Sequence, residues 1–343
     1  MSTKIMATLG PTLCEVKHIV KLASENVDMY RVHMGLRQRD FCSYFMNVRL
    51  AQEKIGKKLE VILDLPSSRM RVGDMKEIKY QIGDKVRIED RISSYDNKCI
   101  PLPHLSQFIP SLNKGERITF RDGQVVFEIK NINSGYILCE CIQAETTIKK
   151  MSASLFPDSR IVYDSLEDED IFYLKIMCKL GLIPEWIAVS FVEQDYQIEE
   201  VRNICSEVWG NNNIKLMAKI ESKNGIKNLD NIMKWVEGIM VARGDLMSSI
   251  TPYELPDLQN IIVKKCNAEG LVSCVATGIF TQFANSKFCS KAEIADLYLI
   301  IKEQADYIML SQETGNSKYP FECVEMINRA KDYFESRFNS YYD

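Results

Sequence analysis

The chain has 343 residues, of which 46% are hydrophobic and 26% are charged, and its formal net charge is −4. This composition is typical of a globular protein with enough apolar residues for a large core. Lys and Arg are scattered rather than clustered, which argues against nucleic-acid binding, and no apolar run is long enough to span a membrane. The 11 Cys form no CxxC pair, so we predict reduced thiols and a cytoplasmic location.

A unit of a short apolar strand, a polar residue and a helical stretch recurs along the chain. Three such strands are predicted at Lys4–Thr8, Met29–Met34 and Glu60–Leu65. Five more are predicted at Trp186–Phe191, Lys215–Glu221, Gly238–Ala242, Val272–Thr277 and Tyr307–Ser311. Helices are predicted at about Cys14–Ser24, Arg39–Ile55, Gln194–Trp209, Gly225–Lys234 and Pro320–Arg337. Eight apolar strands separated by helices are typical of an α/β fold, the (β/α)8 TIM barrel.

The segment between the third and fourth strands has the signature of a small all-β domain. Lys85-Val-Arg-Ile alternates, and an Asp122-Gly123 turn separates two further strand patterns. We therefore predict a barrel of residues 1–70 and 164–343, with a β-barrel-like domain of residues 71–163 inserted after the third strand. Such an insert could act as a lid that excludes water from the site. We expect no further domain after the last helix.

Catalytic groups of a TIM barrel lie at the carboxyl ends of its strands. The polar residues there are Arg31, His33, Asp64, Lys219, Glu221, Asp245, Thr277 and Glu313. Glu221 and Asp245 follow neighbouring strands, so each could give an oxygen to a hard cation such as Mg²⁺. Lys219 precedes Glu221 by two residues, so both side chains leave the strand on the same side. The alternatives are a salt-bridged surface pair for Lys219 and Glu221 and a plain turn at Asp245.

Several strings resemble the motifs of the pyruvate kinase family. Ile239-Met-Val-Ala-Arg-Gly-Asp-Leu246 is similar to that family's IMVARGDL, and Ala218-Lys-Ile-Glu221 to its AKIEN stretch. Further similarities are Lys265-Cys-Asn with Ala276-Thr277, Met309-Leu-Ser-Gln-Glu-Thr314, Thr3-Lys-Ile-Met-Ala-Thr-Leu-Gly-Pro11, and Leu63-Asp64 with Arg71. The resemblance covers almost the whole chain and stops where the family's C-terminal domain would begin.

The resemblance implies Mg²⁺- or Mn²⁺-dependent phosphoryl transfer between phosphoenolpyruvate and an acceptor. Glu221 and Asp245 would bind the metal, and Lys219 would stabilise the transferring phosphoryl group. Thr277 and the backbone at Ala242, Arg243, Gly244 and Asp245 would hold the pyruvyl group. The phosphate would face Arg31, Arg71 and Arg69, and Glu313 would support proton transfer. The substrate would be phosphoenolpyruvate, pyruvate or a related oxyacid.

Four positions depart from the family's monovalent-cation site. His33 and Gly35 replace an Asn and a Ser, and Leu65 replaces a Thr. Arg69 stands where the family has a Glu, and members that need no K⁺ carry a basic residue there. The sequence therefore predicts an enzyme without a K⁺ site, in which a guanidinium supplies the missing charge.

The acceptor side also departs from the family. Leu166 stands where the family has a Lys, and Ala276-Thr-Gly-Ile-Phe-Thr-Gln282 replaces its ATQMLES loop. The sequence therefore does not say whether the acceptor is a nucleotide. It also does not say whether the protein forms a homo-oligomer. Two other functions also stay open: a metal-dependent enolpyruvate lyase or aldolase on the same barrel, and a non-catalytic pyruvate kinase-like binding protein.

Overall fold

The computed structural model describes residues 2–36, 40–121, 123–210 and 213–340. Arg39, where we predicted the start of the second helix, and Asp122, in the predicted turn, lie outside the described residues. Within the described part of the chain, every helix is too short or too polar to cross a membrane.

The strands, in chain order, are β1 (Lys4–Thr8), β2 (Val27–His33), β3 (Glu60–Asp64), β4 (Lys85–Glu89), β5 (Cys99–Pro101), β6 (Arg117–Phe120), β7 (Val125–Asn133), β8 (Tyr136–Ala144), β9 (Ser154–Leu155), β10 (Trp186–Val189), β11 (Lys215–Ile220), β12 (Gly238–Ala242), β13 (Val272–Ala276) and β14 (Tyr307–Leu310). All eight barrel strands were predicted to within two residues at each end.

The helices are α1 (Val16–Ser24), α2 (Asp40–Ile55), α3 (Leu105–Phe108), α4 (Asp168–Lys179), α5 (Asp195–Trp209), α6 (Lys223–Lys227), α7 (Leu229–Ile232), α8 (Arg243–Ser249), α9 (Leu255–Glu269), α10 (Phe283–Ser286), α11 (Lys291–Lys302), α12 (Gln312–Gly315) and α13 (Pro320–Ser340). Short 3₁₀ helices cover Met34–Leu36, Ile109–Ser111 and Met233–Trp235.

Eight parallel strands close into a barrel in the order β1-β14-β13-β12-β11-β10-β3-β2. This confirms the predicted (β/α)8 barrel. Because helices cover the outside and side chains fill the inside, each strand is buried on both faces and reads as a continuous apolar run.

The barrel interior contains an apolar layer to which each strand contributes one side chain. These are Met6, Met29, Ile62, Ala188, Met217, Met240, Cys274 and Met309. All are buried, with at most 2% of the side chain exposed. Unbranched, flexible Met side chains fill the irregular space inside a closed sheet. Since side chains alternate along a strand, the next inward position is two residues further on.

The chain divides into two compact units. The first comprises Met1–Ser67, Ser165–Arg243 and Tyr253–Asp343, and the second comprises Ser68–Asp164 together with Gly244–Pro252. The second unit contains a six-stranded sheet in the order β5-β4-β8-β7-β6-β9. The segment Gly244–Pro252, which contains most of α8 and the three residues after it, was not part of the predicted insert.

One helix prediction was wrong. Residues 225–234 do not form a single helix, because α6 ends at Lys227, α7 follows at Leu229 and a 3₁₀ turn completes the segment. Asn228 lies at the break, and its side-chain amide donates to the backbone oxygen of Glu193 at 3.0 Å. Asn competes with helical hydrogen bonding through such side-chain contacts.

The turns that follow the first and last barrel strands lie close together. The Thr314 hydroxyl accepts from the N–H of Thr8 at 3.0 Å and donates to the carbonyl of Thr8 at 3.0 Å. Just beyond, a Cβ on Gly10 would lie 2.2 Å from the backbone oxygen of Gly315, whereas a Cβ on Gly315 would meet only the Thr8 methyl at 3.5 Å.

This asymmetry gives a stability test. Gly10→Ala should lower the free energy of unfolding by about 1–3 kcal/mol, because backbone must move to admit the methyl group. Gly315→Ala, the matched control, should change it by less than about 0.5 kcal/mol. Urea titration followed by far-UV circular dichroism measures both. Equal effects of the two substitutions would contradict the close approach.

Candidate active site

A layer of polar side chains lies directly above the apolar layer of the barrel. Two residues after the apolar position, six consecutive strands carry a polar residue, and five of these residues, Thr8, Arg31, Asp64, Ser190 and Lys219, are joined by hydrogen bonds. We call these five residues the polar arc. The three strands outside the arc carry small side chains at the same level, at Ala242, Ala276 and Ser311. The sequence period of two thus places charge at the carboxyl end of the barrel.

Hydrogen bonds join the members of the polar arc. Arg31 donates from Nη1 to the Thr8 hydroxyl at 3.1 Å and from Nε to Asp64 Oδ2 at 2.6 Å. The Lys219 ammonium lies 3.3 Å from Asp64 Oδ1 and donates to Ser190 Oγ at 2.8 Å. Ser190 in turn donates to the carbonyl of Leu65 at 2.7 Å. Every side chain of the arc is therefore held in place by a neighbour.

Lys219 also contacts Glu221, the next residue on its side of the strand. The ammonium lies 3.2 Å from Glu221 Oε1, and only 2% of the Glu221 side chain is exposed. The predicted surface salt bridge is therefore not what the structure has: the pair is buried. The Lys219 ammonium thus lies near oxygens of Asp64, Ser190 and Glu221.

The loop after β10 fixes the other oxygen of Glu221. The backbone N–H of Phe191 donates to Glu221 Oε2 at 2.7 Å, and Gln197 donates to the Phe191 carbonyl at 3.1 Å. Phe191 has a φ of 51°, a left-handed conformation that is rare for a bulky side chain. Such strain persists only where the surroundings hold it, and it is concentrated at functional sites.

Asp64 is the electrostatic centre of the polar arc. It is fully buried, and burial alone would raise the pKa of its carboxyl group. The positive charges of Arg31 and Lys219 outweigh that effect and hold the pKa well below its usual range. Asp64 is therefore a permanent anion that pairs with two cations.

Thr277 follows β13 in a strained conformation, with a φ of 76°. Arg243 holds this residue by donating to its backbone oxygen from Nε at 3.0 Å and from Nη2 at 2.8 Å. The same guanidinium donates to Asp296 at 2.8 Å and to Gln259 at 3.3 Å. The Arg243 guanidinium thus holds the loop after β13. The predicted contact of Arg243 with the substrate therefore concerns its backbone.

Glu313 supports the same loop from the other side. Its Oε1 accepts from the N–H groups of Ile279 at 3.0 Å and Phe280 at 3.3 Å, and its Oε2 accepts from Ser311 N at 2.8 Å. Only 4% of Glu313 is exposed, and both of its carboxylate oxygens accept hydrogen bonds from backbone N–H groups. These contacts are those of a positioning residue.

Four predicted site residues, Arg69, Arg71, Gly244 and Asp245, belong to the second unit. Arg69 donates from Nη1 to Asp245 Oδ1 at 2.6 Å, and about a sixth of each side chain is exposed. Arg71 donates to the backbone oxygen of Met151 at 3.4 Å. The plain-turn alternative for Asp245 is wrong, since this residue lies within the first turn of α8.

Among the residues that the structure describes, no three His, Cys, Asp or Glu side chains gather into a metal-binding group. Mg²⁺ needs no such cage, because it binds through one or two carboxylates together with water and substrate oxygens. Carboxylate oxygens of the kind that Glu221 and Asp245 carry are among the ligands that this ion takes.

Two members of the polar arc, Thr8 and Ser190, were predicted only as parts of apolar strands and not as site residues. Their position two residues beyond the apolar layer could have identified both.

Comparisons with known proteins show the family of the chain. The family described as pyruvate kinase, barrel domain, matches residues 1–324. The pyruvate kinase of Methanocaldococcus jannaschii is 28% identical over 99% of this chain and 71% of its own length. That of Thermococcus litoralis is 26% identical over 95% and 68%. The crystal structure of a pyruvate kinase from Cryptosporidium parvum is 26% identical, with a TM-score of 0.87 over 98% of this chain and 69% of that one.

Fold and site together define a (β/α)8-barrel phosphotransferase. The chain belongs to the pyruvate kinase family. The comparisons do not favour the lyase or the non-catalytic alternative.

Because Asp64 is charged in the folded protein, we predict that the stability of the fold depends on pH. The pKa of Asp64 is lower in the folded protein than its value of about 3.9 in the unfolded chain. Its contribution to stability is therefore fully present above that unfolded value and is lost as the pH falls through it towards the folded one. Asp64→Asn, which removes the anion that Arg31 and Lys219 share, should cost about 3–5 kcal/mol at pH 7.

Thermal unfolding measured between pH 7 and pH 3 tests this. The melting temperature of the wild type should fall more steeply with acid than that of Asp64→Asn. Parallel curves would show that Asp64 is not the anion on which the polar arc depends.

Proposed function

We propose that this chain transfers the phosphoryl group of phosphoenolpyruvate to a nucleoside diphosphate such as ADP and releases pyruvate. One observation supports this above all: the buried Lys219 ammonium lies between Asp64 and Glu221 at the carboxyl end of a barrel of this family. A fixed cation among fixed dipoles stabilises charge that develops during phosphoryl transfer.

We propose Glu221 and Asp245 as the protein ligands of Mg²⁺ or Mn²⁺. Glu221 directly follows β11, and Asp245 comes three residues after the end of β12, the neighbouring strand. Once bound, such an ion would neutralise phosphate charge and orient the substrate oxygens.

The chain's own groups would then act as follows. The phosphorus–oxygen bond to the enol breaks, the acceptor oxygen takes the phosphoryl group, and the released enolate gains a proton at its methylene carbon to give pyruvate. Lys219 donates hydrogen bonds to the oxygen on which charge appears. Arg31 faces the phosphate, with its guanidinium already oriented by Asp64 and Thr8.

Three further parts of the proposal concern the pyruvyl group. The Thr277 hydroxyl contacts it, and the backbone at Ala242, Arg243, Gly244 and Asp245 receives its carboxylate. Glu313 holds the loop after β13 rather than moving protons itself, as its backbone contacts suggest. The facing of Arg71 towards the phosphate, the lid role of residues 71–163 and a homo-oligomer stay predictions.

We also propose that turnover needs no K⁺. The Arg69 guanidinium forms a charge-assisted hydrogen bond with Asp245 and is fixed near the proposed metal ligand. A fixed guanidinium supplies positive charge without an exchangeable cation.

Lys219→Met tests the assignment of the ammonium. Pyruvate release from phosphoenolpyruvate should be assayed with Mg²⁺ and a panel of nucleoside diphosphates. The substitution should lower kcat by about 10²–10³-fold or more, since it removes the main donor to the developing charge. Lys215→Met, at the opposite end of the same strand, is the control and should leave kcat unchanged. A Lys219→Met enzyme of near wild-type rate would refute the proposal.

Turnover measured with and without K⁺ tests the role of Arg69. Wild-type turnover should be equal in potassium and tetramethylammonium buffers. Arg69→Met should lower turnover at least about tenfold by removing a fixed charge, and K⁺ should not restore it, because Leu65 and His33 lack the family's ligands. Arg91→Met, on an exposed ion pair with Glu89, serves as control. Activation of the wild type by K⁺, or rescue of Arg69→Met, would contradict this.

A further inference from the structure

Glu193 is a buried carboxylate for which the proposed reaction has no use. It follows β10 by four residues, and only 5% of its surface is exposed. A buried carboxylate is costly unless it is hydrogen-bonded or paired with a charge. Burial raises the pKa of Glu193, whereas hydrogen bonds from Ser222 and Asn224 oppose that rise.

Both carboxylate oxygens of Glu193 receive hydrogen bonds from the segment that follows Glu221. The Ser222 hydroxyl donates to Oε1 at 2.5 Å, and the Asn224 amide donates to Oε2 at 3.3 Å. The Asn228 amide donates to the backbone oxygen of Glu193 at 3.0 Å. One partner of Glu193, Ser222, is thus the residue directly after Glu221.

The backbone of the same two segments also meets. Phe191 N–H donates to Glu221 Oε2 at 2.7 Å, and Val192 N–H donates to the Lys219 carbonyl at 3.4 Å. A Cβ on Gly225 would lie 2.7 Å from the backbone oxygen of Val192. The two segments are therefore so close that not even a methyl group fits between them at this point. The loop of residues 190–193 and the segment of residues 219–228 therefore form one tight junction, with Glu221 inside it.

We propose that Glu193 is a positioning residue that orients Glu221 for the divalent metal. This inference rests on the proposed function, in which Glu221 binds Mg²⁺ or Mn²⁺. Glu193 anchors Ser222 and Asn224 on one side of Glu221, while Phe191, two residues before Glu193, holds the Glu221 carboxylate itself. Loss of the Glu193 carboxylate frees the residue next to the metal ligand and the loop that bonds to it.

Groups that bond to the neighbours of a metal ligand affect affinity as well as stability. Substitutions of such outer groups typically weaken metal binding about 10–100-fold. A residue with only a structural role would lower the melting temperature and leave affinity unchanged in the folded protein. Metal affinity therefore distinguishes the two roles without any assay of turnover.

The test is Mn²⁺ binding, measured by electron paramagnetic resonance of the free ion at a temperature well below every variant's melting point. Glu193→Ala should weaken binding about tenfold or more. Glu193→Gln keeps the shape and one acceptor, so it should stay within about fivefold of wild type, the factor that one net hydrogen bond is worth.

The matched control is Glu185→Ala. Glu185 directly precedes β10, at the opposite end of the same strand, and pairs with Arg49 at 3.0 Å and with Val61 N–H at 2.8 Å. Its substitution should lower the melting temperature and leave Mn²⁺ affinity as in wild type. If Glu193→Ala does not fold, Ser222→Ala, which removes one bond to Glu193, should weaken binding about fivefold.

The possible failures are distinguishable. If the wild type does not bind Mn²⁺, or Glu221→Gln binds it equally well, the proposed metal site is refuted and the role of Glu193 falls with it. If wild type and Glu221→Gln behave as expected but the tested variant, Glu193→Ala or Ser222→Ala, binds Mn²⁺ like wild type, the positioning role alone is refuted.

Discussion

A single buried anion organises the mouth of this barrel. The Asp64 carboxylate pairs with the Arg31 guanidinium at 2.6 Å and the Lys219 ammonium at 3.3 Å. A charge with no solvent contact is tolerated only when partners compensate its lost hydration, and here each ion compensates the others. Arg31 and Lys219 are consequently fixed before any substrate arrives, which spares reorganisation during the reaction.

The loops beyond the strands store strain around this fixed centre. Phe191 and Thr277 both have positive φ angles, and neither is Gly. Glu221 and Gln197 hold the first loop, and Arg243 and Glu313 hold the second. The side chains of Glu221, Gln197, Arg243 and Glu313 thus fix the two loops through hydrogen bonds to backbone groups.

Much of this was visible in the sequence. The barrel strands were predicted closely because strands covered on both faces leave unbroken apolar runs. Lys219 and Glu221 were placed on one side by the strand period alone. The family resemblance, rather than the spacing, is the basis of the roles proposed for Arg31 and Thr277.

Other features depend on contacts between distant segments and left no local trace. The break at Asn228 follows from its bond to Glu193, 35 residues away. The Arg243 guanidinium bonds to Thr277 and Asp296, which lie 34 and 53 residues further along the chain. The grouping of Gly244–Pro252 with the second unit was likewise invisible, since a helix start looks the same whichever unit it packs in.

In the proposed function, the Lys219 ammonium and one divalent ion on Glu221 bind the same enolpyruvate-like ligand. A crystal structure with Mg²⁺ and oxalate, which mimics the pyruvate enolate, tests this most directly. We expect the ion on Glu221, with an oxalate oxygen within hydrogen-bond distance of the Lys219 ammonium. An ion bound away from Glu221, or oxalate out of reach of Lys219, would contradict it.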